Sequence, residues 1–292
     1  MIELTLEPVF FNTELSTTTI NYLKNQKYIK YKKINIFIKN NFTKKYPYGF
    51  IIVDKKSQIF GFLGTMFSER INGSNKKYIY CNLHTWIVEK KNRLNFFKNS
   101  KKILQPIFAY NCMFFAKPVL SLIRMFERNF SMLNLEIKLR IAFLPKLRHY
   151  FKKNKFEIIT NQSELEENLS PKELLIYLDH KELSCYKFLV IEKKTKKKIF
   201  IVAQKKRKKL IFNFLELIYV SDSKSFNNSF QEISSKLFKK FKILFIGENF
   251  LEESQCSIPN SEKFFKDLKQ QIVVKNMPNY FKFNILYSEF VY

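Results

Sequence analysis

The side chains best suited to proton transfer lie between residues 69 and 110. His84 stands in the apolar segment YCNLHTWIV, Glu69 ends the apolar segment before it, and Tyr110 precedes the next. A free histidine titrates at about pH 6.5, so His84 could accept a proton from a substrate near neutrality. Each residue also has a structural interpretation: a histidine hydrogen-bonded within a sheet, a solvated turn charge and a packed tyrosine.

The second half of the chain offers another acid–histidine pair, Asp179 and His180. Adjacent residues on a strand point to opposite faces, and adjacent residues on a helix also diverge. The spacing therefore does not predict that these two side chains share a site.

The segments that must position His84 and Glu69 span residues 48–89. Three stretches rich in β-branched and aromatic residues alternate with polar turns there, which predicts three antiparallel strands. A Lys-rich helix is predicted to start near Asn99. A helix N-terminus offers free N–H donors and partial positive charge, so this strand-to-helix passage predicts a site for a phosphorylated cofactor.

The second half of the chain repeats this order of elements. Strands are predicted at 186–192, 199–204 and 210–220, followed by the helix FQEISSKLFKKF and a strand at 242–246. The segment LLIYLDH (174–180) is interpreted as a strand that opens the repeat, with a helix start as the alternative. A charged stretch with possible helix caps at Ser163 and Ser170 separates the halves. We therefore expect two domains, residues 1–154 and 155–292.

The composition indicates a globular and strongly basic protein. The chain is 46% hydrophobic, and 52 Lys and Arg against 25 Asp and Glu give a formal charge of +27. Such a charge raises affinity for any polyanion, including nucleic acid and phosphorylated cofactors. The lysine runs at 193–198 and 205–209 flank an apolar segment, so we interpret them as hairpin turns and strand edges. Nucleic-acid binding is the alternative, and we expect it to be non-specific.

The cysteines and the hydropathy pattern allow predictions about metal binding, cellular compartment and membrane-spanning segments. No two of the four cysteines form a C-x-x-C pair and the chain has three histidines, so we expect no metal site. Isolated thiols without a signal peptide favour a reducing cytoplasm. The most apolar window, 103–126, is interrupted by Lys117, Pro118 and Arg124, and we expect no membrane span. The cysteines are Cys81, Cys112, Cys185 and Cys256.

Four segments of the chain resemble one superfamily in their joint order. They are GFLGTMFSERING (61–73), YCNLHTWIVEKKNR (80–93) with NSKKIL (99–104), KPVLSLIRMFERNF (117–130) and ILYSEFV (285–291). The resemblance is to the GCN5-related N-acetyltransferase (GNAT) superfamily, and within it to bacterial two-domain acyl-CoA N-acyltransferases. It implies an α+β fold of tandem GNAT-like domains, each a mostly antiparallel mixed sheet flanked by helices, with the fourth and fifth strands splayed apart.

The resemblance also implies where acetyl-CoA or another acyl-CoA would lie. The pantetheine arm would enter the gap between the splayed strands and pair with the backbone of Ile87 and Val88. The pyrophosphate would lie on helix-opening amides near Asn99 and Ser100. The cationic side chains expected around the phosphates are Lys90, Lys91, Arg93 and Lys98.

The implied reaction is acyl transfer from the CoA thioester to an amine or hydroxyl of a small-molecule or polymer acceptor. In that reaction His84 would deprotonate the amine, Glu69 would hold the amine or act through water, and Tyr110 would protonate the leaving thiolate. The superfamily's cofactor loop carries glycines, whereas residues 93–104 contain none. Two alternatives therefore stay open: a GNAT-derived binding or assembly module without catalysis, and a basic RNA-binding protein. The sequence specifies neither the acyl group nor the oligomeric state.

Overall fold

The chain folds into two compact units in the computed structural model, which describes most of its residues. Among the described residues, the first unit contains 3–135 and 271–276, and the second contains 136–270. The predicted boundary after residue 154 stays a prediction, since residues 144–154 are outside the described ranges. Those ranges are 3–26, 45–71, 77–116, 118, 120–143, 155–208, 212–264 and 266–276.

The described elements mix strands and helices, which confirms the predicted α+β class. The strands are β1 Thr5–Val9, β2 Gly49–Val53, β3 Ile59–Ile71, β4 Lys77–Val88, β5 Met113–Ala116, β6 Leu133–Phe143, β7 Phe156–Ile159, β8 Tyr186–Glu192, β9 Lys198–Lys208, β10 Phe212–Val220, β11 Phe245–Phe250 and β12 Leu268–Lys275. The helices are α1 Glu14–Lys24, α2 Arg93–Phe108, α3 Leu120–Phe130, α4 Gln162–Asn168, α5 Pro171–His180, α6 Ser223–Asn228 and α7 Phe230–Phe241.

The sheet of the first unit has the order β1-β2-β3-β4-β5-β12. Strands β2, β3 and β4 form the predicted antiparallel meander, whereas β4 and β5 are parallel and β12 pairs antiparallel with β5. The side chains of a strand alternate between faces. Accordingly, Leu63 and Phe67 of β3 pack in one cluster with residues of α2 and α3, and Phe62 packs in another cluster with residues of α1.

The sheet of the second unit has the matching order β7-β8-β9-β10-β11-β6. Strands β10 and β11 are parallel, and β6 pairs antiparallel with β11. The helix FQEISSKLFKKF is confirmed as α7, and its Ile233 and Leu237 are completely buried against the sheet. The repeated order predicted from the sequence is therefore present, with the parallel pair at the same place in both sheets.

Several local predictions are wrong. Helix α2 begins at Arg93, six residues before the predicted start, because a 3₁₀ turn at Lys90–Asn92 leads straight into it. Residues 174–180 are helical instead of extended. There Ser170 caps α5 in a capping box with Glu173, and Pro171 occupies the first turn.

The start of α4 also differs from the prediction. The cap of α4 is Asn161, whose side chain accepts from the amides of Ser163 and Glu164, so Ser163 is not the cap. Strand β6 runs without interruption from Leu133 to Phe143. The segments 27–44 and 277–292, which include the terminal ILYSEFV, lie outside the described residues, as does Lys117.

A buried arginine organises the second unit around β6. Both nitrogens at the tip of Arg140 bond the carboxylate of Glu253, at 2.6 and 2.7 Å, and Nε and Nη2 bond Asp267 at 3.2 and 2.8 Å. The carbonyl of Ile258 accepts from Nη1 at 3.0 Å, and the ring of Phe250 lies 4.8 Å from the guanidinium. Burial alone would lower the pKa of Arg140, but these carboxylates raise it overall. A charged arginine therefore ties β6 to the segment 253–267.

The variant Arg140→Ala should lower the free energy of unfolding of the second unit by about 3 kcal/mol. The carboxylate of Asp267 would lose its buried partner, while the more exposed Glu253 could regain water, which limits the loss. Urea denaturation followed by circular dichroism measures the change. The control is Arg207→Ala on the exposed side of β9, which should change little, and equal losses in both variants would contradict the prediction.

Candidate functional site

Strand β4 continues beyond its parallel neighbour in the first unit. The ladder between β4 and β5 runs from Tyr80↔Met113 to Leu83↔Ala116, and β4 extends five residues further to Val88. Thr85, Trp86 and Ile87 are half-buried, although Leu83 before them is buried. Residues 84–88 therefore form the open stretch, the part of β4 beyond its ladder with β5.

A β-bulge lies at the start of the open stretch. The ladder between β3 and β4 pairs Leu63 with Trp86 and Gly64 with His84, so Thr85 is left over between them. Thr85 has a φ of 44°, in the left-handed region that a β-branched residue rarely adopts. Bulges bend a strand and redirect its backbone, and this one lies two residues beyond Leu83, the last described partner of β5 in β4.

His84 lies beneath this bulge and is buried. Its Nδ1 shares a hydrogen bond with Thr85 Oγ1 at 3.0 Å. The imidazole ring occupies the space over Gly64, where an added Cβ would come within 2.2 Å of its Cε1 atom. Burial lowers the pKa of His84 to about 3, against the opposite effect of a hydrogen bond to the Thr65 backbone. The imidazole is therefore neutral at physiological pH.

The other two catalytic candidates lie toward the opposite end of β4. Glu69 pairs with Ile79 across the ladder, five residues along β3 from Gly64, or about 17 Å away. Its carboxylate is half-exposed and lies 3.8 Å from Lys77 Nζ. The structure therefore does not bring Glu69 together with His84.

Tyr110 lies before β5, at the end of the ladder remote from the open stretch. Its ring packs at 5.3 Å from Phe67 and 6.0 Å from Tyr46, and burial raises its pKa. Phe67 belongs to the cluster that packs with α2 and α3, whereas His84 pairs with Gly64 on the opposite face of β3. The proton-transfer roles of His84, Glu69 and Tyr110 stay predictions.

Aromatic packing fills one side of the open stretch. The indole of Trp86 meets Phe96 of α2 edge-on at 5.6 Å and Phe126 of α3 at 5.5 Å. Phe96 is completely buried, whereas Phe97 is exposed. Helices α2 and α3 thus hold β4 from this face at Trp86.

The junction between β4 and α2 is positively charged. Arg93 donates from Nε to the carbonyl of Val88 at 3.0 Å, which fixes the passage from strand to helix. The first turn of α2 contains no acidic residue, and the side chain of Asn92 does not cap the helix. Lys91 is partly balanced by Glu89 at 3.5 Å. The exposed cations at this junction are Lys90, Lys91, Arg93 and Lys98.

Asn99 and Ser100 lie inside α2 and do not open it. The side chain of Asn99 donates to the carbonyl of Asn95 at 3.0 Å. Ser100 is buried; its hydroxyl donates to the carbonyl of Phe97 and accepts from Asn129 of α3 at 2.9 Å. The expected amides of the helix opening are therefore nearer Arg93, and a cofactor role for Asn99 and Ser100 stays a prediction.

The second unit has a related bulge but the opposite charge at the helix start. The ladder between β9 and β10 shifts register between Leu217 and Tyr219. The carboxylate of Asp222 then caps α6 by accepting from the amide and hydroxyl of Ser225, and it pairs with Lys197 at 3.2 Å. Burial would raise the pKa of Asp222, but these bonds lower it overall, so a negative charge already occupies this helix start.

The pair Asp179 and His180 lies at the end of α5. His180 is completely buried, and its Nδ1 lies 2.6 Å from the carbonyl oxygen of Ile176 in the preceding turn. The carbonyl of His180 in turn accepts from Lys187 Nζ at 2.9 Å. These contacts give His180 a structural role at the helix end.

Solved structures share this arrangement. A GCN5-related N-acetyltransferase from Kribbella flavida matches with a TM-score of 0.60 and 8% identity, over 94% of this chain and 71% of that one. A conserved protein of unknown function from Enterococcus faecalis, named as a probable N-acyltransferase, matches with a TM-score of 0.57 and 9% identity, over 93% and 72%. The chain has the GNAT fold.

A third GNAT-fold match is a GCN5-related glucosamine N-acetyltransferase region of a fungal multi-domain β-N-acetylglucosaminidase. Its TM-score is 0.57 at 11% identity, and the match covers 94% of this chain but 38% of the fungal protein. No family model and no curated protein matches the sequence. At such identities the likeness concerns the GNAT fold alone.

The described residues show neither a metal-binding cluster nor a membrane-spanning helix. Within the described ranges, no three His, Cys, Asp or Glu side chains gather as they would around a metal ion. The helices of those ranges also include none with the length and apolar character needed to cross a membrane.

The sequence interpretation gave no role to Gly64 and Thr85, the two residues that adjoin the register shift between β3 and β4 together with His84. A glycine inside a strand often marks a bulge or a close approach of another group, and Gly64 lies within the apolar run IFGFLGTMF. The position of Gly64 could therefore have indicated the bulge. Nothing in the sequence indicates the left-handed conformation of Thr85, because threonine ordinarily favours extended backbone.

Replacing His84 with Gln should make the stability of the first unit less sensitive to acid. The pKa of His84 is about 3 in the folded chain against 6.5 for a free histidine, so between these values the unfolded chain binds more protons. The free energy of unfolding should thus fall as the pH drops from about 6.5 toward 3, and less steeply in His84→Gln. Urea denaturation at about pH 7, 5.5 and 4 measures both slopes, and parallel curves would refute the assignment.

Proposed function

We propose that the chain is an acyl-CoA-dependent acyltransferase that binds its cofactor in the first unit. The observation that carries the proposal is the open stretch of β4, with its bulge at Thr85, leading into the positively charged start of α2. An extended, thioester-bearing arm and a polyphosphate are the two ligand parts that such a strand and such a helix start would receive.

The pantetheine arm would lie along the backbone of Ile87 and Val88, as a short strand beside β4. Backbone pairing uses N–H and C=O groups, which every residue except proline has, so apolar residues can form such a site. The phosphates would lie near Lys90, Lys91 and Arg93, with Lys98 one turn further along α2. No metal ion enters this proposal.

The chemistry is a direct transfer. The acceptor nitrogen or oxygen attacks the thioester carbonyl, the carbon–sulfur bond breaks, the acceptor loses a proton, and the CoA thiolate gains one. Holding both reactants in attack geometry supplies much of the rate enhancement in such reactions. His84 as general base remains a prediction, and a pKa of about 3 makes its imidazole a weak proton acceptor.

Electrostatics support the first unit over the second as the cofactor site. At the start of α2 the neighbouring cations outnumber the single acid Glu89, whereas Asp222 places a carboxylate at the start of α6. A phosphate approaching α6 would meet like charge and would have to displace the cap. The second unit is therefore the better candidate to recognise the acceptor.

A binding module without catalysis is the second candidate. The observation that favours it is the lack of glycine in residues 93–104, because glycines allow a backbone to approach a pyrophosphate closely. Such a protein would still bind acyl-CoA but would release no thiol when an acceptor is present.

Acetyl-CoA should bind to the chain, and the double variant Lys90→Gln/Lys91→Gln should bind it about tenfold more weakly, because two phosphate partners are lost. S-acetylpantetheine, which lacks the phosphates, should bind both proteins equally. Isothermal titration at low and high salt measures the affinities. The matched control is Lys193→Gln/Lys194→Gln in the turn after β8, which should bind acetyl-CoA like the parent chain.

The binding proposal would be abandoned if the parent chain gave neither heat nor thermal stabilisation at millimolar acetyl-CoA. It would also be abandoned if the Lys193→Gln/Lys194→Gln control lost as much affinity as the Lys90→Gln/Lys91→Gln variant. That second result would reduce the interaction to general attraction by the net charge of +27.

Turnover is tested by release of free CoA thiol, followed with a thiol-reactive dye, in the presence of a panel of primary amines and amino sugars. An acyltransferase should release thiol only when both acetyl-CoA and a suitable acceptor are present. Binding of acetyl-CoA without release against any acceptor would favour the binding module.

A further inference from the structure

Thr85 has a backbone conformation that is unusual for a β-branched residue. A threonine with φ of 44° has its branched Cβ crowded against its own backbone, and such residues persist when their surroundings hold them there. Strained residues of this kind gather at functional sites. Thr85 follows His84 directly and lies two residues beyond Leu83, the last described partner of β5 in β4.

His84 supplies the contact that holds Thr85. Its Nδ1 and Thr85 Oγ1 are 3.0 Å apart, and the bond is shielded because His84 is 3% exposed. Hydrogen bonds away from water are stronger than exposed ones, and losing one partner leaves a buried polar atom. The bond therefore opposes a return of Thr85 to extended backbone.

Gly64 makes room for that contact. A Cβ at Gly64 would come within 2.2 to 2.9 Å of three atoms of the His84 ring, so any side chain there would push the imidazole away. Gly64 is also the direct ladder partner of His84 and adjoins the register shift. The ring position, the hydrogen bond and the bulge thus depend on one another.

We propose that Gly64, His84 and Thr85 form a lock that holds the β4 bulge and keeps the backbone of the open stretch in the form that accepts the acyl-CoA thioester. The inference rests on the proposed function for its ligand. His84 is then a positioning residue that acts through Thr85, and its contribution does not require it to exchange a proton with the acceptor.

A double-mutant cycle tests the lock without any cofactor. His84→Leu in the parent chain should lower the thermal midpoint of unfolding by about 2 to 4 °C, whereas His84→Asn, whose amide oxygen can replace Nδ1, should lower it less. Thr85→Gly adopts positive φ without strain. In that background His84→Leu should therefore cost clearly less. Equal costs of His84→Leu in both backgrounds would overturn the lock.

Measurements of acetyl-CoA affinity provide the second test of the lock. Thr85→Val replaces the hydroxyl with a methyl group and keeps the branched Cβ, so it should weaken acetyl-CoA binding severalfold, to the same extent at about pH 6 and pH 8. Thr18→Val on the exposed side of α1 should have no effect. His84→Asn should restore most of the affinity lost in His84→Leu. Unchanged affinity in Thr85→Val and His84→Leu would contradict the lock, as would an effect of His84→Leu confined to turnover and dependent on pH.

The double-mutant cycle and the affinity measurements together distinguish failure of the lock from failure of the proposed function. If the parent chain binds no acetyl-CoA but the cycle shows coupling between His84 and Thr85, the acyltransferase proposal fails and the lock on the bulge stands. If acetyl-CoA binds but the coupling is absent, the lock fails and the acyltransferase proposal stands.

Discussion

Among the described residues, the ladder between β4 and β5 pairs four residues of each strand, and the candidate site depends on that limit. A strand inside a sheet normally satisfies its N–H and C=O groups on both sides. Beyond Leu83, β4 has β3 on one side, and the bulge at Thr85 turns its backbone just past the last pair with β5. The backbone of this stretch is the surface on which the proposed extended ligand would pair.

The charges around each helix start decide how the two units differ. Both sheets carry a parallel pair in the same position and a bulge on the strand that leads to a helix. In the first unit the bulge leads to α2, whose start has cations and no acid in its first turn. In the second unit Asp222 caps α6 with a carboxylate. A repeated scaffold thus has cations around this helix start in one unit and a capping carboxylate in the other.

Each unit completes its sheet with a strand from a distant part of the sequence. Strand β12 pairs with β5 in the first unit, and β6 pairs with β11 in the second. Arg140 holds β6 through five hydrogen bonds to the segment 253–267, so the register of β6 is specified by polar contacts as well as by apolar packing. The local pattern of residue types does not predict such pairing between distant segments.

The sequence alone determined the meander of β2 to β4, the helix α7 and the repeated order of elements, because alternation and helical periodicity are local properties. The start of α2 was predicted wrongly near Asn99, although the helical spacing of Phe96, Ser100, Ile103 and Ile107, all buried on one face, begins before it. Tertiary structure decided the conformation of Thr85, the neutral state of His84 and the separation of His84 from Glu69 and Tyr110. Those features arise from contacts across strands and from burial, and no local pattern of residue types specifies either.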